Sequence, residues 1–335
     1  LKLCEGAITT TECLANELSH YVDEVYINRN TASERMYELS ENAIKNRNDK
    51  EVRIGYFSGS ITHNDDFLLV LPTIVSLLKK YENLRLYIVG ELSLPDELKE
   101  CESQIVVFPF MSWEELPQLI ASVDINIAPL EDSIFNEAKS ENKWIEAALV
   151  KVVTVASDVG AFKKMIQHGE TGYLCGDTQT WINTLEMLIN DADKRKKIAD
   201  KAYSYVKENC LTIYTSHQIC NYIKSKMRPS LALILPSTEI SGGIMVALKH
   251  AMYIQDVGYE VTIIASNPSL KWMEFENHKF PVLYQETTDV YAYFDKAIAT
   301  MWSTTPFIQV HPAIGKRYYL VQGYEIDFYA PNVPL

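Results

Sequence analysis

The chain has 335 residues, room for two α/β cores, and its 47% hydrophobic and 22% charged residues are ordinary for a folded globular protein. A formal net charge of −13 and a pI near 5.1 exclude the basic face that nucleic-acid binding requires. An anionic ligand would instead have to meet a few Lys or Arg gathered in one pocket. The cysteines, Cys4, Cys13, Cys101, Cys175, Cys210 and Cys220, form no C-x-x-C pair and no Cys/His spacing. That pattern predicts reduced thiols in a cytoplasmic protein and no metal site. No apolar run approaches ~18 residues, so no membrane span is expected, and peripheral membrane association would run through regions outside this chain. Leu1-Lys2-Leu3-Cys4 reads as the middle of a helix, which predicts a fragment of a longer multidomain protein.

In chain order, Ala7–Thr10 reads as a strand end followed by a helix from Thr11, and Glu24–Ile27 as a short strand. The polar stretch Ser40–Lys50 reads as a linker. Short apolar runs then alternate with amphipathic stretches, the signature of βαβ units and a mostly parallel sheet. Strands are predicted at Val52–Phe57, Leu84–Val89, Gln104–Phe108, Asp124–Ala128 and Val152–Ala156. Helices are predicted near Asp66–Tyr81, Trp113–Ser122, Ser140–Val150, Thr178–Asn190 and Asp193–Asn209. A doubly wound domain is therefore expected over 51–208, after residues 1–50 and before a linker helix at 209–229. A fresh start follows Met227-Arg228-Pro229: strand Leu231–Leu235, a loop to Gly243, a helix to about Val257, and strand Glu260–Ala265. Residues 230–335, with roughly four strands, read as a second, incomplete Rossmann-like domain.

The stretch that carries chemistry runs from Phe135 to Ala148. It follows a buried strand, so it emerges at a strand C-terminus, the edge where open α/β sheets bind ligands. Ser140 suits the N-cap of the next helix. A helix from there puts Lys139, Lys143 and Glu146 at i, i+4 and i+7 on one face. A helix N-terminus with two ammonium groups favours phosphate, and Glu146 one turn on can accept from a ribose diol. The competing reading is a surface helix with ordinary Lys/Glu pairing. A second element, Gly55–Asp66, ends a strand with Ser58, Gly59 and Ser60, whose small side chains let backbone N–H groups approach a diphosphate. His63 there either donates to a phosphate oxygen or is solvated.

The segment resembles the donor-binding motif of the family-four retaining glycosyltransferases of the GT-B fold. Glu146-Ala147-Ala148 resembles the motif's second glutamate and its tail, and Val152–Ser157 the following strand. Val159-Gly160, Ile166 and His168–Leu174 resemble the turn and the G-x-T-G-x-L hairpin. With Ile54–Ser60, Ile88–Gly90 and Trp113–Leu116 the likeness covers essentially all of 51–208. One departure stands out. Eight positions before Glu146, where the family has its first glutamate, this chain has Ala138, with Glu137 adjacent. Either the loop is shifted and Glu137 serves, or this branch uses Lys139 and Ser140 differently. The Phe-Asn-x-x-Lys-Ser-x-x-Lys-x-x-Glu pattern resembles a branch found in large bacterial proteins that build surface polysaccharides. Ser241–Ile244 with Gly258–Val261, and Tyr318–Glu325, resemble parts of a GT-B N-terminal domain, and residues 1–30 the last part of another.

The resemblance implies one complete donor domain plus the start of a second glycosyltransferase. It implies retaining transfer of a hexosyl or deoxyhexosyl group from a UDP-, GDP- or dTDP-linked donor, with no permanently bound cofactor, to a glycan or lipid-linked glycan hydroxyl. Glu137, Lys139 and Lys143 would be catalytic. Ser58, Gly59, Ser60, His63, Ser140 and Glu146 would bind the donor. A degenerate nucleotide- or glycan-binding scaffold is the alternative, and Ala138 is its support. A nicotinamide-dependent enzyme is a weaker rival, because Gly242-Gly243 does not make G-x-G-x-x-G.

Overall fold

The computed structural model describes residues 4, 6–44, 50–58, 64–90, 92, 94–266, 270–285 and 293–322. The chain divides into two compact units, Leu1–Cys220 and Asn221–Leu335.

The first unit opens with β1 (Gly6–Thr9), α1 (Glu12–Leu18) and β2 (Glu24–Ile27), and the two strands pair in parallel. Thr11 caps α1, its side chain accepting from the backbone N–H of Leu14. The next helix, α2 (Glu34–Ala43), corrects the first part of the linker expected over Ser40–Lys50, since Ser40 and Ala43 are helical and buried, while residues 45–49 lie outside the described residues. A polar outward face hid its inward stripe.

The main sheet contains β3 (Val52–Phe57), β4 (Leu84–Val89), β5 (Ile105–Phe108), β6 (Ile125–Ala128), β7 (Val153–Ser157) and β8 (Tyr173–Cys175). All pairs are parallel, in the order β5-β4-β3-β6-β7-β8. This is a doubly wound sheet whose order reverses between β3 and β6, so a crevice opens beyond the C-terminal ends of those two strands. Burial on both faces selects the β-branched composition: every residue of β6 and β7 is buried. Each fully buried Leu or Ile there contributes about 1.5–3 kcal/mol of transfer free energy.

The helices between the strands are α3 (Asn64–Leu68), α4 (Leu71–Lys80), α5 (Leu116–Ile120), α6 (Ile134–Glu137), α7 (Asn142–Leu149) and α8 (Gly160–Met165). The single helix expected over 66–81 is broken, because Pro72 in the first turn of α4 has no N–H to continue α3 and its ring crowds the preceding turn. Pro117 likewise sets the start of α5, shortening the helix expected from Trp113. The hairpin after α8 anchors Trp144, which is fully buried and donates from Nε1 to the Thr171 carbonyl at 2.8 Å. Helices α9 (Thr178–Asn190) and α10 (Ala192–Asn209) close the unit, and α11 (Thr212–Lys226) runs past its end. Ala32 pairs with the chain at Leu211: its N–H donates to the Cys210 carbonyl, and its carbonyl accepts from Thr212 N–H, both at 2.9 Å. Residues before Val52 therefore pack as part of this unit.

The second unit has β9 (Ser230–Leu235), α12 (Gly242–Asp256), β10 (Glu260–Ala265), β11 (Trp272–Phe275), β12 (His278–Tyr284), β13 (Phe294–Ala299), α13 (Thr305–Val310) and β14 (Ile314–Tyr319). The sheet order is β11-β12-β10-β9-β13-β14, parallel except for the β11–β12 hairpin. Among the described residues it has six strands, more than the sequence pattern predicted, since the hairpin at the edge carries Glu274, His278 and Lys279 that mask its period. Ser241 caps α12 through the N–H of Ile244. Among the described residues of the chain, no helix is long and apolar enough to cross a membrane.

Candidate donor site

The β3–β6 crevice is organised by Asp66. Its carboxylate is buried. Oδ1 accepts from Glu131 N–H at 3.0 Å and Asn136 Nδ2 at 2.8 Å, and Oδ2 accepts from Lys139 Nζ at 3.2 Å. One acid on α3 thus fixes the whole loop after β6. Ser133 caps α6 by accepting from Asn136 N–H. Asp66 escaped the sequence reading, where it only closed the Gly55–Asp66 element and opened the expected helix. Its role depends on β3 and β6 being sheet neighbours.

Two cavities flank the start of α7, and Asn142 lines both. The first, 380 Å³, is lined by Thr10, Leu130, Ala138, Lys139, Ser140, Lys143 and Phe162. The second, 460 Å³, is lined by Asn30, Thr31, Met36, Trp113, Ile145 and Glu146 among others. Lys143, on α7, lines the first of them. Its Nζ is buried with no hydrogen-bond partner among the described residues and sits 5.1 Å from the centre of the Tyr56 ring. Desolvation pulls its pKa down to about 8, against the attraction of Asp66 and Glu146. Glu146 is half-buried, and desolvation raises its pKa to about 7, against the attraction of Lys143. Burial, with the Asp66 carboxylate second, pushes the Tyr56 phenol above its ordinary value.

The sequence-predicted residues separate into four groups. Lys139, Ser140, Lys143 and Glu146 come together around α7. Ser58 is buried at the C-terminal end of β3, its N–H donating to the Val89 carbonyl at 2.8 Å. Gly59, Ser60 and His63 lie outside the described residues. Glu137 is exposed on α6 and lines neither cavity, whereas Ala138 lines the first. Ser140 does not cap the helix. Helix α7 starts at Asn142 after Glu141, with no side-chain cap bond, because Asn30 Nδ2 donates to Ser140 Oγ at 2.8 Å. Lys139 therefore lies outside α7 and reaches the crevice from the loop. Among the described residues no group of His, Cys, Asp or Glu is placed to hold a metal ion.

Gly160 holds α6 close to α8. Its φ of +55° suits glycine, and an added Cβ would stand 3.0 Å from the Cα and carbonyl oxygen of Glu137. Gly160→Ala is expected to cost about 1–3 kcal/mol, read as a lower urea midpoint for this unit.

Residues 52–191 match the family model described as Glycosyl transferases group 1. This stretch, less than half of the chain, is similar to that family, and it contains β3 through α9 and with them Asp66, Lys139, Lys143 and Glu146. No curated protein matches the chain. Among solved structures it is similar to HepE of Anabaena in complex with UDP-glucose, at 17% identity and a TM-score of 0.50, covering 66% of this chain and 64% of that one. A glycosyltransferase from Rickettsia africae is similar at 16% identity and TM-score 0.52, covering 65% and 62%. Sucrose-phosphate synthase from Thermosynechococcus elongatus is similar at 13% and 0.50, covering 66% and 58%. The chain thus spans less than two thirds of the length of each of these. At such identities the likeness establishes the fold, Rossmann-like parallel-sheet units of the GT-B kind.

Proposed function

We propose that the glycosyltransferase domain binds a nucleotide-sugar donor across α7 and transfers its sugar, with retention, to a glycan hydroxyl in cytoplasmic polysaccharide synthesis. The observation that carries this reading is Lys143: an ammonium buried without a hydrogen-bond partner, on a side chain that lines the 380 Å³ cavity. A protein tolerates such a group where a ligand supplies the missing acceptor. The donor diphosphate accepts from Lys143 and Lys139 in the 380 Å³ cavity, and the two cations stabilise the leaving group without a metal. Glu146 takes the ribose diol, and the nucleoside base lies in the 460 Å³ cavity against Trp113. Ser58 faces the phosphates and Ser140 the donor sugar, while Gly59, Ser60 and His63 are assigned to the donor by the sequence resemblance alone. UDP is the favoured nucleotide because the similar HepE structure holds UDP-glucose.

In the same proposal residues 1–50 are the tail of an N-terminal domain, 51–208 the donor domain, 209–229 a linker helix, and 230–335 the start of a second glycosyltransferase. A degenerate binding scaffold is favoured by one observation: Ala138, not a glutamate, lines the diphosphate cavity, and Glu137 points to solvent. Calorimetry with UDP, GDP and dTDP tests donor binding. Binding of one of them, weakened in Glu146→Ala, is expected; no binding to any, or equal binding by the variant, overturns it. Hydrolysis or transfer from the bound nucleotide-sugar then separates enzyme from scaffold.

A further inference from the structure

A third cavity, of 440 Å³, is lined by Glu141, the residue before α7. Its polar wall is an ion pair that does not close. Arg29 is held by Glu12 through Nη2. Its Nη1 is buried and stands 3.8 Å from Glu141 Oε1, too far for a hydrogen bond. Glu141 is 1% exposed, and neither carboxylate oxygen has a hydrogen-bond partner among the described residues. Burial raises its pKa, opposed first by its own backbone N–H and then by Arg29. Leaving a charged acceptor and a charged donor both unsatisfied at one cavity wall is costly, and a ligand hydroxyl relieves both at once. Both atoms are shielded in the unliganded cavity, so a hydroxyl oxygen that accepts from Nη1 and donates to Oε1 has to part the two side chains to enter the 3.8 Å gap.

The rest of the lining fixes the class of ligand. Asn28 and Asn209 supply amide donors and acceptors, and Tyr205 supplies an aromatic surface. The volume far exceeds the ~30 Å³ of one water molecule and lies in the range of small-molecule pockets. The charged side chains of the lining, Glu12, Arg29 and Glu141, leave no excess cation for an anionic ligand. We infer that this cavity is a carbohydrate subsite, holding one neutral pyranose ring whose hydroxyl bridges Arg29 and Glu141. It meets the 460 Å³ cavity at Asn30 and Thr31 but contains none of Lys139, Lys143 and Glu146, so it does not depend on their assignment.

The test uses the full chain and the methyl pyranosides of glucose, galactose, mannose and N-acetylglucosamine, followed by saturation-transfer NMR and titration, with UDP binding measured in parallel. At least one pyranoside is expected to bind with Kd of ~1–10 mM. Glu141→Gln removes the carboxylate acceptor. Asn209→Trp, from an exposed rim position, fills the cavity without disturbing the packed interior. Each is expected to weaken pyranoside binding by about tenfold or more, with UDP affinity unchanged in Asn209→Trp. No binding by any pyranoside means a cavity holding water only and overturns the inference. So does sugar binding that survives Asn209→Trp or is displaced by UDP. Absence of UDP binding in the wild type counts against the donor site alone, so the two failures are distinguishable.

Discussion

Lys143→Met is expected to make the first unit more stable and to destroy donor binding. Three terms compete at Nζ. Its position over Tyr56 is worth at most ~2 kcal/mol, and the attraction of Asp66 and Glu146 adds to that. Burying an ammonium without a hydrogen-bond partner costs several kcal/mol. The depression of the Lys143 pKa to about 8 shows that the cost wins in the unliganded protein. Methionine keeps the length and fills the same space without the charge. The unliganded protein should gain about 1–3 kcal/mol, a rise of several degrees in the lower or upper melting transition assigned to this unit. Removing a desolvated charge-assisted contact to a diphosphate costs roughly 2–4 kcal/mol, so UDP affinity should fall about 100-fold. A variant that loses stability while keeping UDP affinity would show Lys143 to be a structural residue. Stability gained at the expense of binding marks a group held in place for its ligand.

How much of this was legible in the sequence depends on the range of the interaction. Val52–Phe57, Leu84–Val89, Glu24–Ile27 and Glu260–Ala265 form strands with the bounds their β-branched runs predict. Such runs are set by local composition and burial on both faces. Lys139, Lys143 and Glu146 were visible because they belong to one short stretch. The errors have different causes. Pro72 split a helix whose apolar period continued across it, and Asn30 took the hydroxyl of Ser140 that was expected to cap α7. Asp66, Tyr56 and Trp113 could not be assigned roles from spacing, because they meet the 131–146 stretch only through the order of strands in the sheet. The same is true of Arg29 and Glu141, more than a hundred residues apart in the chain and 3.8 Å apart in the fold.

Glu146→Gln should separate the nucleoside from the phosphates and remove a pH dependence of stability. Burial raises the carboxyl from 4.5 to about 7, the reverse of a salt-bridged acid. Below about 4.5 the group is protonated in both folded and unfolded chains and contributes no slope. Between 4.5 and 7 the folded chain retains a proton that the unfolded chain has lost, so stability falls as pH rises, and the penalty is complete above 7. Lys143 acts in the opposite direction: between about 8 and 10.5 the unfolded chain binds the extra proton, and stability recovers with rising pH. The pair therefore places a shallow minimum in the unliganded stability of this unit between pH 7 and 8. In Glu146→Gln the fall between 4.5 and 7 should vanish, measured as the difference in Tm from wild type across that range. Loss of a charged acceptor for the ribose diol costs about 1.5–3 kcal/mol, so UDP affinity should drop roughly 10- to 100-fold. Inorganic pyrophosphate has no ribose and should bind the variant at least as well as the wild type, since a nearby negative charge has been removed. Equal losses for UDP and pyrophosphate would place Glu146 at the phosphates and refute its assignment to the ribose. The pH of the assay matters as well: UDP affinity should decline as pH rises through about 8, where Lys143 gives up the proton with which it holds the diphosphate.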